Sequence, residues 1–247
     1  MPYLVAPAMG TTVSIDVRDE DVPAAALDAA VQTLRELEAR FTTYRDDSEI
    51  KRIERGELQL ADAHPDVREV LAACAVLRAE SNGAFDAWRD GGLDPSGYVK
   101  GWAAERAAAV LRSSGATRFA LNLGGDVICA GESAAGLPWR VGVRHPAEPR
   151  RMAFVVGVRD GAVATSGSYE RGDHIVDART GRPATDWRSI TVLAADLATA
   201  DAIATAALAM GMDGPAWAAE RPGCEVAAIG QGDRLWTTAG LERARLN

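Results

Sequence analysis

The sequence predicts an α+β fold, a mixed and largely antiparallel sheet with packed helices. Helical periodicity is concentrated in the first half of the chain and short strand-like runs in the second. Several of those runs are separated by turns too short for a parallel crossover, which favours antiparallel pairing over a doubly wound sheet. No internal repeat, low-complexity tract or flexible linker interrupts the 247 residues, so one domain over 1–247 is expected.

Residues 11–17, Thr-Thr-Val-Ser-Ile-Asp-Val, alternate with a period of two and read as a strand. Residues 23–40 set Leu27, Ala30, Val31, Leu34 and Leu37 on one helical face. Asp47 and Ser48 are cap residues for a short helix through Ile50 and Ile53. Residues 66–81 repeat the helical pattern with Val67, Val70, Leu71, Cys74 and Leu77, and Asn82-Gly83 stops it. A loop from Ala84 to Gly97 leads into a helix from about Tyr98 to Ser113, closed by Gly115. Residues 117–130 read as two strands around a tight turn. Further strands are expected at 139–143, 152–159, 161–165, 173–177 and 188–194. Asp196 opens a helix to about Met210, closed by Gly211, and 224–237 reads as a terminal hairpin.

Composition narrows the function. Hydrophobic residues make up 47% and charged residues 25%, the profile of a soluble globular chain. A net charge of −8 argues against nucleic acid, whose recognition begins from a basic surface. An anionic ligand would need a metal, a lysine or backbone N–H groups to draw it in. Cys74, Cys129 and Cys224 are too scattered for a zinc site or a disulfide framework, and read as buried thiols. The N-terminus lacks the basic and apolar regions of a signal peptide, and no apolar run is long enough for a membrane span, so a cytoplasmic location is expected. The six tryptophans are scattered and read as packing residues.

Four segments stand out, three of them polar and glycine-rich and the fourth a polar pair on an apolar helix. In Phe85-Asp86 through Asp94-Pro95-Ser96-Gly97-Tyr98-Val99-Lys100-Gly101, a polar loop enters a helix carrying an early lysine. That reads either as a phosphate site at a helix start or as an ordinary capped helix. Asn122-Leu123-Gly124-Gly125-Asp126 is either a hairpin turn or a point of close backbone approach. The run from Thr165-Ser166-Gly167 through His174-Ile175-Val176-Asp177 places hydroxyls, an arginine, a histidine and an acid in one strip, and His174 and Asp177 are candidate proton-transfer groups. Asp201 and Thr205 lie four apart on an alanine-rich helix, one carboxylate and one hydroxyl on a single face. That pair suits Mg²⁺, or equally an aspartate near a helix start beside a threonine bonded back to its own helix.

In order, these segments resemble the ApbE family of FAD:protein FMN transferases. The likeness begins at Met9-Gly10-Thr11 and continues through Phe41-Thr42-Thr43-Tyr44-Arg45-Asp46-Asp47-Ser48-Glu49-Ile50 and Gly83-Ala84-Phe85-Asp86. It resumes at Asp94 to Gly101 and at Asn122 to Asp126, and ends with Thr165-Ser166-Gly167, His174 to Asp177 with Arg179-Thr180-Gly181, and Ala200 to Ala206. The resemblance implies the family's α+β arrangement, FAD as substrate and Mg²⁺, with Mn²⁺ an alternative, at its diphosphate. It implies metal ligation by the Asp201 and Thr205 side chains and the Gly97 carbonyl. Met9, Tyr44, Ala84, Phe85, Asp86, Asp94, Lys100, His174 and Ile175 would line the FAD site, with Thr165, Ser166 and Gly167 beside the diphosphate. Lys100 would act electrostatically, and His174 or Asp177 as the base, His174 first because its ordinary pKa lies near neutrality. The partner would be a protein whose acceptor threonine ends an Asp-x-x-Ser/Thr-Gly-Ala-Thr motif.

The sequence departs from the family pattern in several places. Asp94-Pro95-Ser96-Gly97 replaces the usual Asp-Leu-Gly-Gly, Ala178 replaces a proline, and Glu54 stands where asparagine is common. The segment between Arg171 and His174 is short. Ser114-Gly115-Ala116-Thr117 matches the end of the acceptor motif, but Leu111 occupies its aspartate position, so it reads as a helix stop and not as a self-modification site. Two other readings stand beside it: an FAD pyrophosphatase with nearly the same site, giving FMN and AMP, and a non-catalytic flavin-binding protein, which needs a site without a working metal and which the presence of Asp201 and Thr205 argues against.

Overall fold

The computed structural model describes residues 2–89, 91–148, 150–167 and 175–246. β1 (Tyr3–Ala8), which carries no clear alternation in the sequence, pairs with β2 (Thr11–Val17) in a hairpin. α1 (Ala24–Phe41) buries the predicted stripe of Leu27, Ala30, Val31, Leu34 and Leu37. In α2 (Glu49–Glu54) the Ser48 hydroxyl accepts the Lys51 N–H, whereas Asp47 pairs with Arg45 instead of capping. α3 (Pro65–Glu80) is followed by Asn82 and Gly83 in the left-handed region, at φ 51° and 79°. The expected loop contains a small hairpin, β3 (Trp88–Arg89) with β4 (Gly92–Leu93). α4 (Ser96–Ser113) starts two residues before the expected Tyr98, which moves Lys100 from its first turn into its second.

The second half is strand-rich as predicted. β5 (Phe119–Leu123), β6 (Asp126–Ala130), β7 (Trp139–Arg144), β8 (Met152–Val158) and β9 (Gly161–Gly167) follow in order. Of the strand expected over 173–177, Val176–Asp177 forms β10, paired with β11 (Arg182–Pro183), and 173–174 lie outside the described residues. β12 (Trp187–Ala194) leads into α5 (Leu197–Met210), whose first turn is capped by Asp196 and which ends at Gly211 with φ 70°. α6 (Gly214–Ala219) precedes the hairpin β13 (Glu225–Gly230) and β14 (Leu235–Thr237). That hairpin is not terminal. α7 (Ala239–Ala244), capped by Thr238, and β15 (Arg245–Leu246) carry the chain back to β8.

Eight strands form one sheet in the order β1-β2-β5-β6-β9-β12-β13-β14, with each neighbouring pair antiparallel. One face is covered by α1, α4 and α5, which with the inward side chains of the sheet form the main core. The three-stranded sheet β15-β8-β7 covers part of the other face, burying Val127, Cys129, Val163, Ala227 and Ile229. The alternation of strand side chains then decides what faces the helices. On β6, Asp126 shares the helix side with Ile128, and on β9, Ser166 shares it with Ala164. Thr165 points the opposite way, to Thr191 of β12. Among the described residues, no helix is long and apolar enough to cross a membrane.

Candidate functional site

α4 and α5 approach closely because Gly101 has no side chain. A Cβ there would collide with the Leu197 carbonyl and lie 2.8 Å from Asp201 Cβ. The approach lets the Gly101 N–H donate to Asp201 Oδ2 at 2.9 Å. In a regular helix that N–H serves the carbonyl of Gly97, so the Gly97 carbonyl and the Asp201 carboxylate sit beside one another. Gly97 is wedged too, since a Cβ would lie 2.9 Å from the Phe85 ring and 3.1 Å from Thr205 Cγ2. The Thr205 hydroxyl lies 3.0 Å from that of Ser166. It faces across to β9 and is not bonded back into its own helix.

Asp201 is 3% exposed and Asp126 is 2% exposed. Lys100 Nζ lies between them, 2.5 Å from Asp126 Oδ2 and 3.6 Å from Asp201 Oδ1. Burial pushes the Asp201 carboxyl up to about 7, Lys100 and the Gly101 N–H oppose that shift, and Asp126 adds to it. Asp126 was not among the predicted site residues. The Gly124-Gly125 turn that delivers it was visible in the sequence and takes φ values of 62° and 104°. What no local pattern shows is that β6 emerges opposite Lys100.

The FAD residues implied by the resemblance divide into groups. Phe85, Gly97, Lys100, Ser166, Asp201 and Thr205 converge as described. Asp94 lines a cavity of about 350 Å³ with Thr43, Lys51, Glu54, Arg89 and Val176. Its carboxyl is pushed up by burial, but hydrogen bonds from Ser96 and Arg89 outweigh that and hold it below the usual range. Asp86 accepts from Arg78 Nε at 2.6 Å and from the Trp88 N–H at 2.9 Å, fixing the start of β3. The Ala84 carbonyl accepts the Ala178 N–H at 3.0 Å, tying this segment to the turn after β10. Ile175 immediately precedes the cavity residue Val176. Met9 takes φ 55°, and the N–H groups of Met9 and Gly10 both donate to the Glu38 carboxylate. Tyr44 stands outside this convergence, 94% exposed.

His174 lies outside the described residues. Asp177 is gripped by the Arg179 guanidinium at 2.8 and 2.9 Å, which outweighs partial burial and holds its carboxyl below the usual range. Such a carboxylate is a weak proton acceptor. Glu54, the departure noted above, accepts from Lys51 Nζ at 2.7 Å and from the Leu93 N–H at 2.8 Å. It therefore braces β4 at the cavity wall. A separate cluster, His145 with Glu148 and Asp233, has a ligand-like composition. However, His145 Nδ1 accepts the N–H groups of Ala147 and Glu148, which leaves Nε2 as the proton-bearing nitrogen facing Asp233 at 3.1 Å. That arrangement is a loop staple.

Comparison with known proteins bears on family and fold. The ApbE family model matches residues 9–89 and 87–228. An FAD:protein FMN transferase of Vibrio cholerae is 27% identical, aligned over 85% of this chain and 81% of its own length. One of Treponema pallidum is 34% identical over 62% of this chain, and the match spans only 48% of that relative's length. The crystal structure of the ApbE protein of Thermotoga maritima shares the fold with a TM-score of 0.89 at 23% identity, covering 99% of both chains.

Proposed function

The chain belongs to the ApbE family, and from that membership and the site just described we propose that it is an FAD:protein FMN transferase. The observation that carries this reading is the cluster of half-buried Lys100 with buried Asp126 and Asp201, set against Gly97, Thr205 and Ser166. Among the described residues one ammonium stands against two carboxylates, a balance that favours a further positive charge. Its donors are a carboxylate, a hydroxyl and a backbone carbonyl, the hard oxygen set that Mg²⁺ or Mn²⁺ prefers. The residues therefore fit a divalent cation, held by Asp201, Thr205 and the Gly97 carbonyl. When bound it neutralises charge on the diphosphate.

The remaining work belongs to the chain's own groups. Phe85 and the cavity beside Asp94 bind the organic part of FAD, and the Met9 turn contributes a side chain at the edge. Ser166 and Gly167 line the diphosphate, with Thr165 behind them, its side chain turned to Thr191 on the other face of the sheet. Lys100 supplies a fixed positive charge where negative charge develops. An acceptor threonine hydroxyl attacks the FMN-side phosphorus, a new P–O bond forms, and the P–O bond to AMP breaks. His174 takes the hydroxyl proton, the role for which Asp177, committed to Arg179, is poorly suited. The acceptor is a protein loop ending in Ser/Thr-Gly-Ala-Thr, and 1–247 act as one domain.

Product analysis tests the reading against hydrolysis. With FAD, Mg²⁺ and acceptor, AMP should appear in step with acceptor-bound FMN. AMP accompanied by an equal amount of free FMN, with the acceptor unlabelled, would establish a pyrophosphatase instead.

A further inference from the structure

We infer that Asp126 is a positioning residue: it holds the Lys100 ammonium off Asp201 and so keeps the Asp201 carboxylate open to the divalent cation. The inference rests on the metal-dependent transferase reading and gives a role to a residue outside its ligand set.

The geometry carries it. The β6–β9 ladder runs only as far as Val127 opposite Val163. Beyond that pair the Asp126 side chain takes over from the backbone, and the Thr165 N–H donates to Asp126 Oδ1 at 2.9 Å. This side-chain bond joins β6 to β9 just where Ser166 enters the site. Asp126 Oδ2 is met by Lys100 alone among the described residues. A carboxylate this deeply buried is costly unless paired, so a purely structural demand for a Thr165 acceptor would be met more cheaply by asparagine. The negative charge is needed for Lys100.

The distances show what the charge does. Lys100 is in contact with Asp126 at 2.5 Å but stands 3.6 Å from Asp201. With Asp126 neutral, the ammonium is left beside Asp201, the proposed cation ligand and, among the described residues, the other carboxylate within reach. Lys100 and the cation would then compete for one group. Asp126 thus sorts the two positive charges, giving the ammonium its own counter-ion and leaving Asp201 to the metal.

The test is a double-mutant cycle read by Mn²⁺ binding, with Mn²⁺ followed by electron paramagnetic resonance in the presence of saturating FAD. Asp126→Asn keeps the shape and the Thr165 acceptor and removes the charge. It should weaken Mn²⁺ binding by about tenfold or more. Adding Lys100→Met removes the competitor and should bring Mn²⁺ affinity back to within about threefold of wild type, a recovery that additive damage does not produce. Asp126→Ser carries the same comparison if the buried amide prevents folding, as judged by thermal melting. Unchanged Mn²⁺ affinity in the Asp126 variant, or a double variant as weak as the single one, overturns the inference and leaves the transferase reading standing. If wild type itself binds no Mn²⁺ with FAD, both fall together.

Discussion

At the scale of single residues, buried and half-buried carboxylates do most of the organising, each through groups far away in sequence. Asp19 gives the clearest example outside the site. Its carboxylate accepts the N–H groups of Thr117 and Arg118 at 2.8 and 2.7 Å and the Thr117 hydroxyl at 2.9 Å. Partial burial raises its pKa, but these bonds outweigh that and the net shift is downward. A lowered folded-state pKa means stability that is full above the unfolded carboxylate value, about 3.9, and lost as pH falls through the lower folded value. Asp19→Asn should therefore cost about 1–2 kcal/mol at neutral pH. In urea titrations across pH, the gap to wild type should close as the pH falls below the ordinary carboxylate range. A gap that persists undiminished in acid would show that the carboxylate charge is not what holds the turn. Residues of this kind are hard to read from sequence. Asp201 and Thr205 were legible because helical spacing puts them on one face, whereas Asp126 needed the β6 register to be placed opposite Lys100.

Among the elements, the contact of α4 with α5 governs the site, and it depends on Gly101. Gly101→Ala would press a methyl group into the Leu197 carbonyl and against Asp201 Cβ, both parts of a packed helix. Overpacking of this kind costs about 1–3 kcal/mol, and the displaced helix would pull Asp201 from the Gly101 N–H. The variant should melt lower than wild type and bind FAD with Mg²⁺ more weakly. A variant with wild-type melting and wild-type affinity would mean that the helices have slack here. The long helices α1, α3, α4 and α5 were legible because each has an extended apolar pattern and a recognisable cap or stop, as at Asn82-Gly83 and Gly211, whereas the six-residue α6 was not. The β3–β4 hairpin and β15 were not, because two-residue strands have no period to detect. β1 escaped because it is an edge strand in which Tyr3, Val5 and Pro7 are exposed, so its apolar residues do not mark an inner face. α7 is a helix of six residues opening on alanine and glycine, and only the Thr238 cap announces it.

Across the whole molecule, the antiparallel sheet presents one helix-covered face from which β6 and β9 send Asp126 and Ser166 toward the two helices that bring Lys100, Asp201 and Thr205. The chain would act on other proteins and spare itself. Its one acceptor-like end, Ser114 to Thr117, is built into a helix stop at Gly115, φ 91°, and the Thr117 hydroxyl is engaged by Asp19. Incubation with FAD and Mg²⁺ alone should leave the intact mass of the protein unchanged; a stoichiometric FMN adduct mapped to Thr117 would refute that assignment. The central claim is best tested by adding a separate acceptor bearing the Asp-x-x-Ser/Thr-Gly-Ala-Thr motif and recording its intact mass, with Asp201→Ala as the control. Transfer predicts a mass gain equal to one esterified FMN, reduced by at least about two orders of magnitude in rate in the control. An acceptor that stays unmodified while the protein turns FAD into AMP and free FMN would contradict it.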